Sequence, residues 1–533
     1  MITKGRIIHL GPEIKGLAEL ISEKFEIYDV PFEDRNQPIG KGKNKLLIKE
    51  EFNLAFRHDL FLITQTEYLQ AEQSSFLKQL PANNIIIDDR TELSAEAIQA
   101  LHLKNAQFIS FQNVEELAKQ LNEVFYNGSL GYKFDFDNIQ FDPNFKGTIK
   151  QLGHNYLEII DNDVEDYQRV ASWGSILGVA KNTIWEIRTE FKRNTPTTNV
   201  RLRVSLISAI NSQIYYSTEV DNDSLKDLIS LDVDHNGAYI LVELLVKGKN
   251  IDLTMEAITV NQSRSGRGTL LIGEDVEIDD EAMGEPLYHY FDPGDFKPPL
   301  MVYFSGFRFN PGVEGMFMMR NLKAPTLLIQ ESRILGGSFY VGGEKLESQI
   351  INLIQSTLKK LGFKSNEVIL SGLSMGTYAA LYYSSFINPD WVIVGKPLTS
   401  LGEIAANERI NRPNNFPTSL DVVLRLTGGI ADENIKQAND LFWNSFTKHD
   451  HSKTNFVIVY MKEDDYDGMA FDKLDSFLRK HSPTSRVIHK GFTGRHNDQT
   501  NALVVWFLNQ YRNVLITNYG RDFSPQEADE DDE

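Results

Sequence analysis

Apolar positions follow three rhythms along the chain, and the rhythm changes near residues 130 and 275. Up to about residue 130, short β-branched runs alternate with polar stretches able to form helices: "GRIIHLG", "FEIYDV", "DLFLITQT", "NNIIIDD" and "AQFISF". Strands separated by helical segments imply parallel βαβ units, so a Rossmann-like α/β domain is expected over 1–130. "HLGP" lacks the Gly-x-Gly-x-x-Gly spacing that lets a backbone approach a pyrophosphate, so no dinucleotide site is read there.

Between 131 and 275 the pattern becomes strict alternation. In "NVRLRVSLIS", Val200, Leu202, Val204 and Leu206 face one way, and Arg201, Arg203 and Ser205 the other. "AYILVELLVKG" and "IDLTMEAITV" follow with no helix between, which predicts an antiparallel β-sandwich, a type of module that often binds carbohydrate or joins domains. "DVDHNGAYILVE" matches the calcium-loop template through Asp232, Asp234, Asn236, Gly237 and Glu243. That template needs a helix leaving the loop, whereas Tyr239 to Val246 reads as a buried strand, so a hairpin turn is the better expectation and no metal site is predicted.

From 276 to 520 strands and helices alternate again. "LMVYFSG" and "APTLLIQES" are strands, and "GGEKLESQIINLIQSTLKKLGF" carries Leu346, Ile350, Ile354 and Leu358 at helical spacing, with Gly362 as C-cap. "EVILSGLSMGTYAALYYSS" is then strand, serine and helix. "DWVIVGKPL", "NFVIVYMKEDDYD" and "SRVIHKGFTGRH" add three strands, and a last helix follows with Asp498 expected at its N-cap. This order is that of an α/β-hydrolase domain. Residues 400–455 interrupt it with a helix-prone insertion, placed either to cap a site or to offer an interaction surface.

Composition narrows the function classes. A chain of 533 residues with 41% hydrophobic and 24% charged residues is a multi-domain globular protein. A net charge of −20 argues against a nucleic-acid binder working by counterion release. The absence of cysteine removes thiolate chemistry and disulfides and fits a reducing compartment. No signal peptide or apolar run of membrane-spanning length is read, which predicts a cytoplasmic protein. The final segment, 521–533, reads as a disordered acidic tail.

An alcohol needs a base to become a nucleophile and an exposed position to meet substrate. In "GLSMG" a serine sits at a strand-to-helix turn whose glycines allow tight packing, with the helix dipole behind it. Ser374 is therefore the candidate nucleophile. In this fold the acid and then the histidine follow, each past the end of a later strand. His496, in "GFTGRHND" before the last helix, meets that condition, whereas His489 lies within a strand and the histidines of "HDH" at 449–451 in a polar loop. The acid must follow "NFVIVYM", where Glu463 ranks first, Asp464 second, and Asp465 and Asp467 lower. The oxyanion hole should pair the N–H of Met375 with that of Gly306 or Phe307.

"MVYFSGF", "GLSMGTYAALYY", "YMKEDDYD" and "GRH", in that order, resemble the hydrolase-like member of the accessory secretory protein trio of Gram-positive bacteria, most closely over 295–510. The resemblance implies a Ser374–Glu463–His496 site with Asp464 or Asp465 as alternative acids. It implies O-acetylation of N-acetylglucosamine on serine-rich repeat glycoprotein adhesins, together with support for their export. The partners implied are two sister accessory secretory proteins, the accessory Sec motor ATPase and the glycoprotein substrate, which would make the protein peripheral at the membrane through the secretion complex. No bound cofactor is expected and the acyl donor is left open. A carbohydrate esterase and a non-catalytic scaffold are the alternatives.

Overall fold

The computed structural model describes residues 4–523 apart from 41, 49–50, 71–73, 126–129, 135, 137–138, 236 and 265. Asn236 of the calcium-like loop and positions 524–533 of the acidic tail thus lie outside the described residues.

The first rhythm folds into a parallel sheet. Strands β1 (Gly5–Leu10), β2 (Phe25–Asp29), β3 (Leu60–Ile63), β4 (Ile85–Asp88) and β5 (Gln107–Ile109) form a five-stranded sheet in the order β2-β1-β3-β4-β5. Every pairing in it is parallel. Its inner strands are buried on both faces, Ile8, Leu10, Phe61 and Ile63 toward one apolar cluster and Ile7, Leu60 and Leu62 toward the other, which is why they read as continuous apolar runs. At the edge where β1 and β3 end, the buried His9 donates from Nδ1 to Asp29 at 2.6 Å and accepts from the Thr64 hydroxyl at Nε2 at 2.9 Å. The carboxylate only accepts, so this tautomer follows from Asp29.

The alternating region is a nine-stranded sheet whose pairings are antiparallel. Its two main strands, β6 (Tyr156–Val179, 24 residues) and β7 (Ala238–Gln262, 25 residues), pair along most of their length. Register shifts between Val164 and Gln168 and between Trp173 and Leu177 bend β6. The bent sheet encloses one core containing Leu157, Trp173, Val204, Val242 and Leu253. Two separate layers were expected; instead both long strands run through the whole module, and hydrogen bonding is continuous. Glu243 lies in β7 and is held by Arg169 at 2.8 Å and Arg203 at 3.5 Å, so the twelfth position of the calcium template is already neutralised. No group of carboxylates and histidines able to hold a metal ion occurs among the described residues.

The third region is an eight-stranded sheet formed by β8 (Glu274–Asp279), β9 (Glu285–Asp292), β10 (Leu300–Phe304), β11 (Thr326–Glu331), β12 (Val368–Leu373), β13 (Trp391–Gly395), β14 (Asn455–Met461) and β15 (Val487–Phe492). The spatial order is β8-β9-β11-β10-β12-β13-β14-β15, antiparallel at the β8 and β9 edge and parallel from β11 onward. On one face Val302, Phe304, Leu370 and Val394 pack against helices α1 (Glu344–Leu361), α2 (Met375–Ile387) and, after the insertion, α6 (Ala470–His481). On the other, Met301, Tyr303, Ile369 and Ile393 pack against the closing helix α7 (Thr500–Tyr519). Gly362 caps α1 at φ 72°, while α7 begins at a Gln499 cap, and Asp498 instead accepts the Arg495 N–H at 2.9 Å.

The 400–455 insertion folds as α3 (Leu401–Ile410), α4 (Ser419–Thr427) and α5 (Asp432–Phe446). It is joined to the antiparallel module: Asp421 accepts the His154 N–H at 2.7 Å and the Asn155 N–H at 3.2 Å, and Arg425 pairs with Glu256 at 3.3 Å and also with Glu285. The first domain meets the third sheet through Asn83, which donates to the Phe291 carbonyl at 3.1 Å. Lys104, buried beside the Phe296 ring, has its pKa pushed down to about 8 by burial.

Candidate active site

Ser374 joins β12 to α2 in a backbone conformation, φ 54° and ψ −121°, that side-chain-bearing residues rarely adopt. Such a residue costs about 1–3 kcal/mol and persists only where the surroundings impose it. Here the glycines impose it. A Cβ at Gly376 would lie 2.0 Å from the Phe304 carbonyl oxygen, and one at Gly372 would lie 2.4 Å from the Gly376 carbonyl. Bare backbone at both positions lets the turn press against β10 and itself. The Ser374 N–H donates to Gly395 O on the neighbouring strand at 2.9 Å, which fixes the turn from the other side.

The serine hydroxyl lies 2.8 Å from His496 Nε2. His496 Nδ1 in turn lies 2.8 Å from Asp464 Oδ2, and both side chains are almost wholly buried. A carboxylate here accepts the Nδ1 proton, leaving Nε2 free to accept from the serine. Burial pushes the Asp464 pKa up, but its hydrogen bond and charge interaction with His496, with the N–H groups of Tyr466 and Asp467 at 2.8 and 3.2 Å, outweigh this and leave it below the ordinary carboxylate value. Asp464 therefore stays charged at neutral pH.

Glu463, ranked first among the acids, does not reach the imidazole. The chain leaves β14 at Met461 and Glu463 points to solvent, while its N–H donates to Gly494 O at 3.2 Å. The other carboxylates of "EDDYD" have separate partners. Asp465 accepts the backbone N–H of His496 at 3.1 Å. Asp467 accepts the N–H groups of Thr399 and Ser400 at 2.7 and 2.8 Å and the Thr399 hydroxyl at 2.9 Å, tying this loop to the start of the insertion.

Two residues that sequence reasoning missed hold the imidazole from behind. The Tyr466 ring stacks on His496 at 4.2 Å, and the Arg412 guanidinium lies 3.4 Å above the Tyr466 ring while pairing with Glu408 at 2.9 Å. Arg412 comes from the insertion, so no local spacing links it to the histidine.

Ser374 and His496 open onto a cavity of about 600 Å³. Asn414, Asn415, Phe416 and Pro417, between α3 and α4, form one wall. Lys396 forms another. Burial lowers its pKa, and its ammonium donates to Thr500 Oγ1 at 2.9 Å. The Met375 N–H, in the first turn of α2, has no carbonyl of its own helix to bond. Of the two N–H groups expected as the second oxyanion donor, those of Gly306 and Phe307, the Gly306 N–H is engaged: it donates to Glu314 Oε1 at 2.6 Å. The Phe307 ring lies against the same cavity, in edge contact with Phe416 at 4.9 Å.

The chain matches the family model described as the accessory Sec system GspB-transporter over residues 14–521. It is 35% identical over 461 residues to an accessory Sec system protein of Staphylococcus aureus, spanning 85% of this chain and 87% of the relative. It is 34% identical over 422 residues to an accessory Sec system protein of Streptococcus gordonii, spanning 78% of this chain and 80% of the relative. A solved chain from the glycosylation-associated protein complex of Streptococcus agalactiae superposes with a TM-score of 0.82 at 32% identity, over 98% of this chain and 99% of that one.

Proposed function

Because the chain belongs to the accessory Sec system GspB-transporter family, we propose that it is the acyl-transferring member of such a system, moving an acetyl group onto a sugar hydroxyl of a secreted serine-rich repeat glycoprotein. The observation that carries this reading is the 2.8 Å contact between His496 and the hydroxyl of Ser374, held on a strained turn beside a cavity of about 600 Å³. The Streptococcus agalactiae relative is described as part of a complex, and we infer that this chain also works beside sister accessory proteins. Among the described residues no helix is long and apolar enough to cross a membrane.

In the proposed reaction Ser374 Oγ attacks the acyl carbonyl while His496 Nε2 takes its proton. Asp464 holds the ring by Nδ1 and stabilises the imidazolium. The leaving group departs with the proton from Nε2, and the acyl group remains as an ester on Ser374. The acceptor hydroxyl then gives its proton to Nε2 and attacks that ester, which restores the serine. An esterase differs only in using water as acceptor. Walls supplied by the insertion favour transfer, because they restrict water and hold a sugar against the acyl-serine.

The test is to treat the folded protein with a fluorophosphonate and map the labelled peptide, then to assay acetyl transfer with glycosylated substrate as acceptor. Label on Ser374, lost in Ser374→Ala, together with acetylated sugar above the no-enzyme control, is the expected result. Label without acetylated sugar reassigns the protein as an esterase. Absence of label under conditions that label a simple esterase leaves only a scaffold role.

A further inference from the structure

Glu314 lies in the same cavity as Ser374, yet the reaction above gives it no part. Its Oε1 accepts two hydrogen bonds, from the Gly306 N–H at 2.6 Å and from the Tyr303 hydroxyl at 3.2 Å. Its own N–H donates to the Ser305 Oγ at 3.1 Å, which fixes the backbone that delivers it. Gly306 sits directly against the serine turn: a Cβ there would lie 3.3 Å from both Glu314 Oε1 and the Leu373 carbonyl oxygen.

An oxyanion-hole donor acts on an anionic oxygen 2.7–3.1 Å away (typical geometry) at the place where charge develops. The Gly306 N–H already holds a carboxylate oxygen at about that distance. A second anion cannot take the same N–H, and a carboxylate left beside the forming oxyanion opposes it. We propose that Glu314 is the resident anion of the oxyanion hole: it withholds the Gly306 donor in the resting site and swings aside when an acyl donor is committed, suppressing idle ester hydrolysis. The inference rests on the acyl-transfer reading of Ser374.

The two ideas fail separately in one experiment. Wild type, Glu314→Gln, Glu314→Ala and Ser374→Ala are compared for the rate of fluorophosphonate labelling and for kcat and KM on 4-nitrophenyl acetate. Freeing one oxyanion donor is expected to raise kcat and the labelling rate about tenfold or more, with KM little changed, because the gain appears only as charge develops. The isosteric Glu314→Gln variant keeps the turn filled but removes the charge, so it decides the matter if alanine lets the turn collapse; its expected gain is smaller than that of a folded alanine variant. Wild type labelled at Ser374, with neither Glu314→Gln nor Glu314→Ala faster than wild type, overturns the gate and leaves the nucleophile standing. No label at Ser374 in any protein overturns both.

Discussion

His9 and His496 each bridge a carboxylate and a hydroxyl at the carboxyl edge of parallel strands. Asp29 and Thr64 lie 2.6 and 2.9 Å from the nitrogens of the first, and Asp464 and Ser374 lie 2.8 and 2.8 Å from those of the second. The surroundings separate them. Ser374 is in a strained turn ahead of a helix of 13 residues, beside a cavity, with the following N–H of Met375 directed away from any carbonyl of its own helix. The N–H after Thr64, that of Gln65, donates to the Leu10 carbonyl at 3.2 Å. The Thr64 hydroxyl is also pressed onto the Gly11 backbone, where a Cβ would come within 2.0 Å of it. Three side chains in relay are therefore a way to satisfy a buried histidine as readily as a way to build a nucleophile. Thr64 also borders a cavity, of about 380 Å³, so a backbone donor left free for a carbonyl oxygen makes the difference.

That contrast breaks first at the hydroxyls. Ser374→Ala should lower ester turnover on the order of 10⁶-fold, while Thr64→Val leaves it unchanged; equal losses would show that the first domain shares the chemistry. Next are the acids. Asp464→Asn should cost on the order of 10⁴-fold by spoiling the imidazole tautomer, whereas Glu463→Gln keeps full turnover; the reverse order would mean that the loop after β14 rearranges in the working enzyme.

A smaller effect sharpens the structural side. His9→Leu strands Asp29 and Thr64 without their shared partner and should destabilise the first domain by about 1–3 kcal/mol, read as a lowered denaturant midpoint, with turnover per folded molecule intact. The smallest is a pH effect. Burial lowers the His9 pKa more than the hydrogen bond and charge of Asp29 raise it. Below the unfolded value of about 6.5 the unfolded chain then binds a proton that the folded domain refuses, so stability falls as pH falls through that range. Lower protection factors in β1 and β3 on acidification, from hydrogen exchange corrected for its intrinsic pH dependence and absent in His9→Leu, would show it.

Ser374 and His496 were legible because each is fixed by chain order: a glycine-flanked serine between an apolar strand and a helix, and a histidine between the last strand and the last helix. The acid was not. Periodicity says which way a side chain points only while the strand lasts, and β14 ends at Met461, ahead of all four candidates. Glu314, Tyr466 and Arg412 reach the site through tertiary packing, which leaves no spacing to read. The alternation that predicted an antiparallel module was equally local, and it gave no sign that strands of 24 and 25 residues would carry it past their bulges as one sheet.

The residues Asn414 to Pro417 that wall the serine's cavity are strung between α3 and α4, and α4 is moored outside its own domain, by Asp421 to the backbone at His154 and Asn155 and by Arg425 to Glu256. One wall of the reaction chamber thus hangs partly from the neighbouring building. An excised third domain would keep its serine turn and lose the ties that hold α4 to the antiparallel module.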